Sequence, residues 1–307
     1  MNEQQKRSTW FWVLIGGGLF AVVLAVIVGL AFAIVHATGD SDMASFGSGL
    51  GSDKIGVIDL DGVILSAETP ISQLRKFADD GSIRAIVLHI NSPGGGAAAS
   101  QEIYEEVKRI RDEKKKPIVA SIESEGASGA YYIACGTSKI YANRASLVGS
   151  IGVIMEYTNY GDLLKWAKLK SEIFKSGELK DAGTPTRDPT PKEQAYLQGL
   201  VNNMFQQFVD DVASGRKRPV AEIQPLATGE VWTGQQAVPL HLIDSIGGFQ
   251  DALKQTAKDA GISGEPQVVK PYIRRKSLID VLTSPGDLFP APEQMLQRNP
   301  GFYYLWR

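Results

Sequence analysis

The chain has 307 residues, 43% of them apolar, with 32 Lys+Arg against 34 Asp+Glu and a formal charge of -2. That length and composition support a sizeable hydrophobic core and exclude a sequence-wide electrostatic case for nucleic-acid binding, which needs a basic face to neutralise phosphates. A single cysteine, Cys135, excludes an intrachain disulfide framework. The three histidines His36, His89 and His241 are neither spaced as HExxH nor close to Cys135 in sequence, so no metal and no cofactor is expected. Any chemistry has to come from other side chains.

Residues 1–9 carry Lys6 and Arg7. Trp10 to Val35 then runs without a charge and exceeds the about 20 residues a helix needs to cross a bilayer core. Ala31-Phe32-Ala33 resembles a cleavage site, but signal-peptide cores are only about 7–15 residues long. The expectation is therefore an uncleaved transmembrane helix over residues 10–35. Basic residues before it, and Asp40, Asp42 and Asp53 after it, place the N-terminus in the cytoplasm. The rest of a single-pass protein of the cytoplasmic membrane then lies on its outer face. Residues 36–53 hold four Gly and four Ser and read as a flexible tether, with a reach of about 23 Å.

From Lys54 onward β-branched runs alternate with helical spacing. Ile55–Leu60, Ile83–Ile90, Ile118–Ile122 and Val148–Ile154 are predicted strands. Apolar periodicity predicts helices near 70–78, 98–113, 128–135, 158–168 and 191–213. Alternation of this kind means an α/β domain, residues 54–260, around a buried and largely parallel sheet. Residues 261–307 turn Pro-rich and finish on Phe302-Tyr303-Tyr304-Leu305-Trp306. Aromatics at that density need a cover, so this tail is expected to drape over the domain or a neighbouring subunit.

Two segments rich in small residues follow predicted strands directly: Asn91-Ser92-Pro93-Gly94-Gly95-Gly96 and Gly126-Ala127-Ser128-Gly129-Ala130. Open α/β sheets place ligands at such strand ends. Gly-rich turns offer free backbone N–H groups to a phosphate or to a developing oxyanion. No Lys-Ser/Thr pair follows, so neither is a P-loop. Ser128, between small residues at a strand-to-helix turn, resembles a nucleophile elbow. Its base is less plain. His241 is the only histidine downstream and lies in the apolar run Val238–Ile243. Ser214-Gly215-Arg216-Lys217 fits SxxK only by chance, since no KTG box accompanies it. A lysine serves as base in some serine enzymes, provided burial lowers its pKa from about 10.4.

Several motifs in order resemble the signal peptide peptidase A family of membrane-anchored serine proteases. They are Asn91-Ser92-Pro93-Gly94-Gly95, Ala127-Ser128-Gly129-Ala130-Tyr131-Tyr132-Ile133-Ala134, Ser146-Leu147-Val148-Gly149-Ser150-Ile151-Gly152-Val153 and Ser176-Gly177-Glu178-Leu179-Lys180-Asp181. Thr233-Gly234-Gln235-Gln236-Ala237 and Leu242-Ile243-Asp244-Ser245-Ile246-Gly247 extend the likeness, which covers most of residues 54–260. The resemblance implies a caseinolytic-protease/crotonase-like fold of repeated β-β-α units. It implies Ser128 as nucleophile, Lys180 as general base, Ser150 holding the lysine, and the amides of Gly95 and Gly129 as oxyanion hole. It also implies peptide substrates such as residual signal peptides and a homo-oligomeric ring, with eight subunits the number it suggests. Ala130, and Glu123 and Glu125 ahead of the motif, depart from the family pattern. Three rivals stand beside this reading: a Ser/His esterase or peptidase of the α/β-hydrolase kind using His241, acyl-CoA chemistry of the crotonase kind, and a non-catalytic membrane scaffold. The anchor argues against the second, and the presence of both Ser128 and Lys180 against the third.

Overall fold

The computed structural model describes residues 53–271 and 301–306. The segments expected to span the membrane and, but for Asp53, to form the tether lie outside these. Among the described residues no helix is long and apolar enough to cross a membrane.

The β-branched runs form β1 (Lys54–Asp61), β2 (Ile83–Ser92) and β4 (Ile118–Ala127), separated by the short β3 (Gly94–Gly96). β1, β2 and β4 lie side by side and parallel. β10 (Gln267–Val269) extends the sheet beyond β1, while β5 (Lys139–Ala142) and β9 (Ser245–Ile246) extend it beyond β4, all parallel. The near-continuous apolar run in β2 follows from its central place, because both faces of a parallel strand are covered. On one face Ile58, Leu88, Ile90 and Ile122 pack under helices α1 (Glu68–Asp79), α2 (Ala97–Asp112), α3 (Gly129–Cys135) and α5 (Pro191–Arg216). On the other, Val57 and Val87 meet Leu253 and Ala257 of α8 (Phe249–Asp259). The remaining helices are short: α4 (Gly161–Trp166), α6 (Val220–Ile223) and α7 (Gly234–Ala237).

Local chemistry sets the helix boundaries. Ile71, Leu74, Phe77 and Ala78 recur at helical spacing on the buried side of α1. Thr190 opens α5 with a capping box: its hydroxyl accepts the Glu193 N–H at 3.2 Å, the Glu193 carboxylate accepts the Thr190 N–H at 2.7 Å, and Pro191 follows at the first helical position.

The predicted strand Val148–Ile154 is not one strand. It divides into β6 (Leu147–Gly149) and β7 (Ile154–Glu156), which belong to different sheets. Gly149 at φ 92° and Ser150 at φ 51° turn the chain between them, and no extended strand passes through two such residues. β6 pairs parallel with the last residues of β4 and antiparallel with β8 (Val231–Thr233), while β7 joins β3 and β11 (Gly301–Leu305) in a second sheet. The helix predicted over 158–168 shortens to α4. The glutamates ahead of Ser128 also find an explanation. The register between β2 and β4 runs from Ile90↔Ile122 to Ser92↔Gly126, so β4 bulges there and turns Glu123 and Ser124 to solvent.

Candidate active site

Ser128 stands between the end of β4 and the start of α3, 1% exposed. Its N–H donates to the Gly149 carbonyl at 2.7 Å and its carbonyl accepts the Tyr132 N–H at 2.8 Å. The backbone is thus pinned at both ends of the turn. It is held at φ 53°, ψ -118°, a conformation that a residue bearing a β-carbon reaches only under constraint, and one that gathers at functional sites.

β3 passes close by. A Cβ on Gly94 would fall 2.6 Å from the Gly129 nitrogen, and one on Gly129 would fall 3.2 Å from the Gly95 nitrogen and 2.4 Å from Ser100 Oγ. The close approach of β3 to the Gly129 amide beside Ser128 therefore depends on Gly94 and Gly129 lacking side chains, and a Cβ on Gly95 would strike Ile64 on the other side. Ile64 braces β3 from the far side, its N–H donating to Gly94 at 2.9 Å and its carbonyl accepting from Gly96 at 2.8 Å.

Ser150, also at positive φ and 6% exposed, is fixed by donation of its N–H to the Glu230 carbonyl at 2.7 Å. Ser128 and Ser150 share the wall of a cavity of about 550 Å³ with the apolar Ile151, Val153, Ile154 and Phe205. No histidine lines it. His241 is exposed on a turn, its carbonyl accepting from Arg216 Nε at 2.9 Å. Cys135 is buried, and burial pushes its thiol up to about 12, which leaves it inert.

The chain's own tail lies across this site. β11 runs antiparallel to β3 on one side, with Tyr304 opposite Gly95 and Leu305 opposite Gly94. On its other side it is antiparallel to β7. Trp306 N–H donates to the Pro93 carbonyl at 2.9 Å. Tyr304 is buried, stacked on Tyr132 at 5.3 Å and tilted against Phe208 at 4.7 Å, while Leu305 and Trp306 line the cavity. Of the tail expected to drape over the domain or a neighbouring subunit, residues 301–305 pair here as a strand with β3 and β7 of the same chain.

Lys180 does not line the Ser128 cavity. It is exposed, outside the cavity wall, on a loop fastened by ion pairs among Lys175, Asp181, Arg187 and Glu193. That loop adjoins β7, since a Cβ on Gly183 would touch Met155 at 3.3 Å. The arm leading to it exposes large apolar side chains, Trp166 at 82% and Phe174 at 95%, with Leu163 and Leu169 at about 60%. The parts that sequence reasoning missed are Ile64, Phe205 and the Arg187 ion pairs. None carries a local motif that could have marked it.

The profile of Peptidase family S49 matches residues 110–263, a stretch that holds Ser128, Ser150 and Lys180. The chain belongs to this peptidase family. The S49 chain is 37% identical over 189 residues to the "Putative signal peptide peptidase SppA" of Enterococcus faecium, covering 62% of this chain and 55% of that protein. It is 36% identical over 229 residues to the "Putative protease slr0021" of Synechocystis sp., covering 72% of this chain and 82% of the relative. "Protease 4" of Haemophilus influenzae is 30% identical over 213 residues, 66% of this chain and 34% of its own length. The S49 chain thus spans about half the length of the Enterococcus relative and a third of the Haemophilus one.

Proposed function

We propose that the protein is a membrane-anchored endopeptidase of caseinolytic-protease/crotonase-like fold, in which Ser128 attacks the peptide carbonyl and Lys180 takes its proton. The observation that carries this reading is the strained Ser128 turn with the Gly95 and Gly129 amides beside it. Such a turn presents a nucleophile next to two fixed dipoles, and fixed dipoles stabilise a tetrahedral oxyanion at no cost in reorganisation. The tail supports the substrate class. A groove that accepts β11 between β3 and β7 accepts any extended peptide by main-chain pairing, and the apolar cavity wall favours apolar residues, as in residual signal peptides.

Lys180 can act as base only when desolvated, and in the single chain it is exposed. The reading therefore includes a homo-oligomeric ring, of eight subunits by family likeness, in which the arm bearing Leu163, Trp166 and Phe174 is covered by a neighbouring copy. Ser150 holds the lysine at the assembled site. The anchor is the charge-free run Trp10–Val35, with the peptidase domain outside the cytoplasm.

Labelling by a fluorophosphonate tests the nucleophile, and peptide cleavage tests the base. Ser128→Ala is expected to lose both labelling and cleavage. Lys180→Ala and Lys180→Arg are expected to lose cleavage while remaining folded, because guanidinium stays protonated at any workable pH. His241→Ala is expected to cleave normally. Cleavage retained in Ser128→Ala, or wild-type acylation in Lys180→Arg, would overturn the dyad.

A further inference from the structure

Asp181 follows Lys180 in the chain, and a carboxylate so placed is the obvious counter-ion for a lysine. The structure gives it to others. One oxygen accepts from Lys175 Nζ and the other from Arg187 at 2.8 Å. Arg187 also forks onto Glu193 at 2.6 and 2.9 Å and donates to the Asp188 carbonyl at 3.0 Å. Glu193 is 2% exposed and closes the capping box of α5. Arg187 thereby rivets the Lys180 loop to the first turn of the helix whose Phe205 lines the Ser128 cavity.

The neighbouring acids are occupied as well. Glu178 is paired with Lys192, Asp162 of α4 with Lys165 at 2.9 Å, and Asp188 accepts from the Asn159 amide at 2.7 Å. The arm also carries Lys168, Lys170 and Glu172, of which Lys170 and Glu172 share with Asp181 and Arg187 the wall of an open hollow of about 490 Å³. Glu193 is held down to about 2, chiefly by its hydrogen bonds from Arg187, and Asp181 is held below the usual carboxylate range by Lys175 and then Arg187. Both acids are therefore charged throughout the working range, and both are already neutralised.

We propose that Arg187 is a positioning residue for the base: it holds the Asp181 carboxylate away from Lys180 and locks the loop to α5, so that Lys180 arrives at the nucleophile without a counter-ion. This rests on Lys180 being the base. The physical reason is direct. A free carboxylate within about 4–6 Å raises a lysine pKa by about 1–3 units, and below that pKa each unit removes about nine-tenths of the neutral amine. Arginine suits the task because its planar fork serves two carboxylates at once and never loses its charge.

The test is the pH–rate profile of kcat/KM for the full chain with a short peptide substrate. Arg187→Met is expected to move the acid limb up by about one pH unit, with activity near neutrality down about tenfold and the alkaline plateau nearly retained. Adding Asp181→Asn to that variant is expected to bring the limb back. A plateau lowered with the limb unmoved, or no recovery in the double variant, would overturn the proposal and leave Arg187 as an ordinary structural ion pair. If Arg187→Met fails to fold by circular dichroism, Lys175→Met removes the other cation from Asp181 at an accessible position. It is expected to give a smaller shift in the same direction, and an unmoved limb there overturns the proposal equally. Single-turnover acylation by Lys180→Arg separates the two layers. Wild-type acylation means that Lys180 is not the base, whereas an inactive Lys180→Arg beside an unshifted Arg187→Met refutes the role of Arg187 alone.

Discussion

Ser128 is expected to cost the protein stability, and the cost is measurable. At φ 53°, ψ -118° a residue with a β-carbon is strained by about 1–3 kcal/mol. Glycine relieves that strain but brings about 0.5–1 kcal/mol of extra chain entropy to the unfolded state. The balance favours Ser128→Gly by about 1 kcal/mol, or about 2–4 °C in Tm for a domain of 150–250 residues. Ser128→Ala keeps the β-carbon and so keeps the strain, and its stability should stay within about 0.5 kcal/mol of the parent. Calorimetry of the two variants beside the wild type, with peptide hydrolysis followed in parallel, isolates the effect. Both variants lose activity, but only the glycine variant gains stability. Equal melting temperatures for Gly and Ala would show that the turn stores no strain and would remove the main structural support for Ser128 as nucleophile.

Deleting residues 301–307 vacates the place between β3 and β7, so kcat/KM for a short extended peptide should rise several-fold. A fall in activity with unchanged folding would mean that the tail completes the site rather than competing for it. Gly129→Ala puts a methyl group 2.4 Å from Ser100 Oγ and should part the two amides, lowering kcat by about 10²–10³ with fluorophosphonate labelling slowed in proportion. Wild-type kcat would show that the Gly129 amide takes no part. Glu106, 6% exposed, is held down from 4.5 to about 2 by its bonds from Arg109, with Arg75 adding to them. Because its folded pKa lies below the unfolded one, its contribution is complete above pH 4.5 and lost as pH falls through about 2. Urea midpoints should therefore place Glu106→Gln below wild type at neutral pH, with the gap closing over that window. A gap that does not depend on pH would refute the assignment.

The long elements were legible because their signals are local. β1, β2 and β4 are runs of β-branched residues, and α1 and α5 announce themselves by apolar spacing. β3 was not legible, since three glycines carry no strand propensity and its partners, Ile64 and β11, come from distant parts of the chain. Val148–Ile154 misled for the opposite reason. Its composition suits a strand, yet the positive φ at Gly149 and Ser150 breaks it where the cavity forms, so local preference gives way at the site itself. Ser128, Gly95 and Gly129 could be picked out because small residues at strand ends are conspicuous. Lys180 could be found only by likeness, since nothing in its surrounding loop marks it as a base. Asp181, Arg187 and Glu193 lie six residues apart, a spacing that puts them on no common helix face, and no strand runs between them, so their union is a property of the folded loop.

Helix α5 has 26 residues, which at 1.5 Å each makes a rod of about 39 Å. Arg187 grips its first turn, Tyr304 leans on Phe208 further along, and Arg216 forks onto Asp244 at its end. A rod fastened in this manner opens as one cooperative unit. Its amides should then exchange with solvent deuterium at a common rate. When a peptide replaces the tail and presses on Phe208, the added protection should appear at both ends of the helix together, so that occupancy of the groove becomes readable from amides that never touch the peptide.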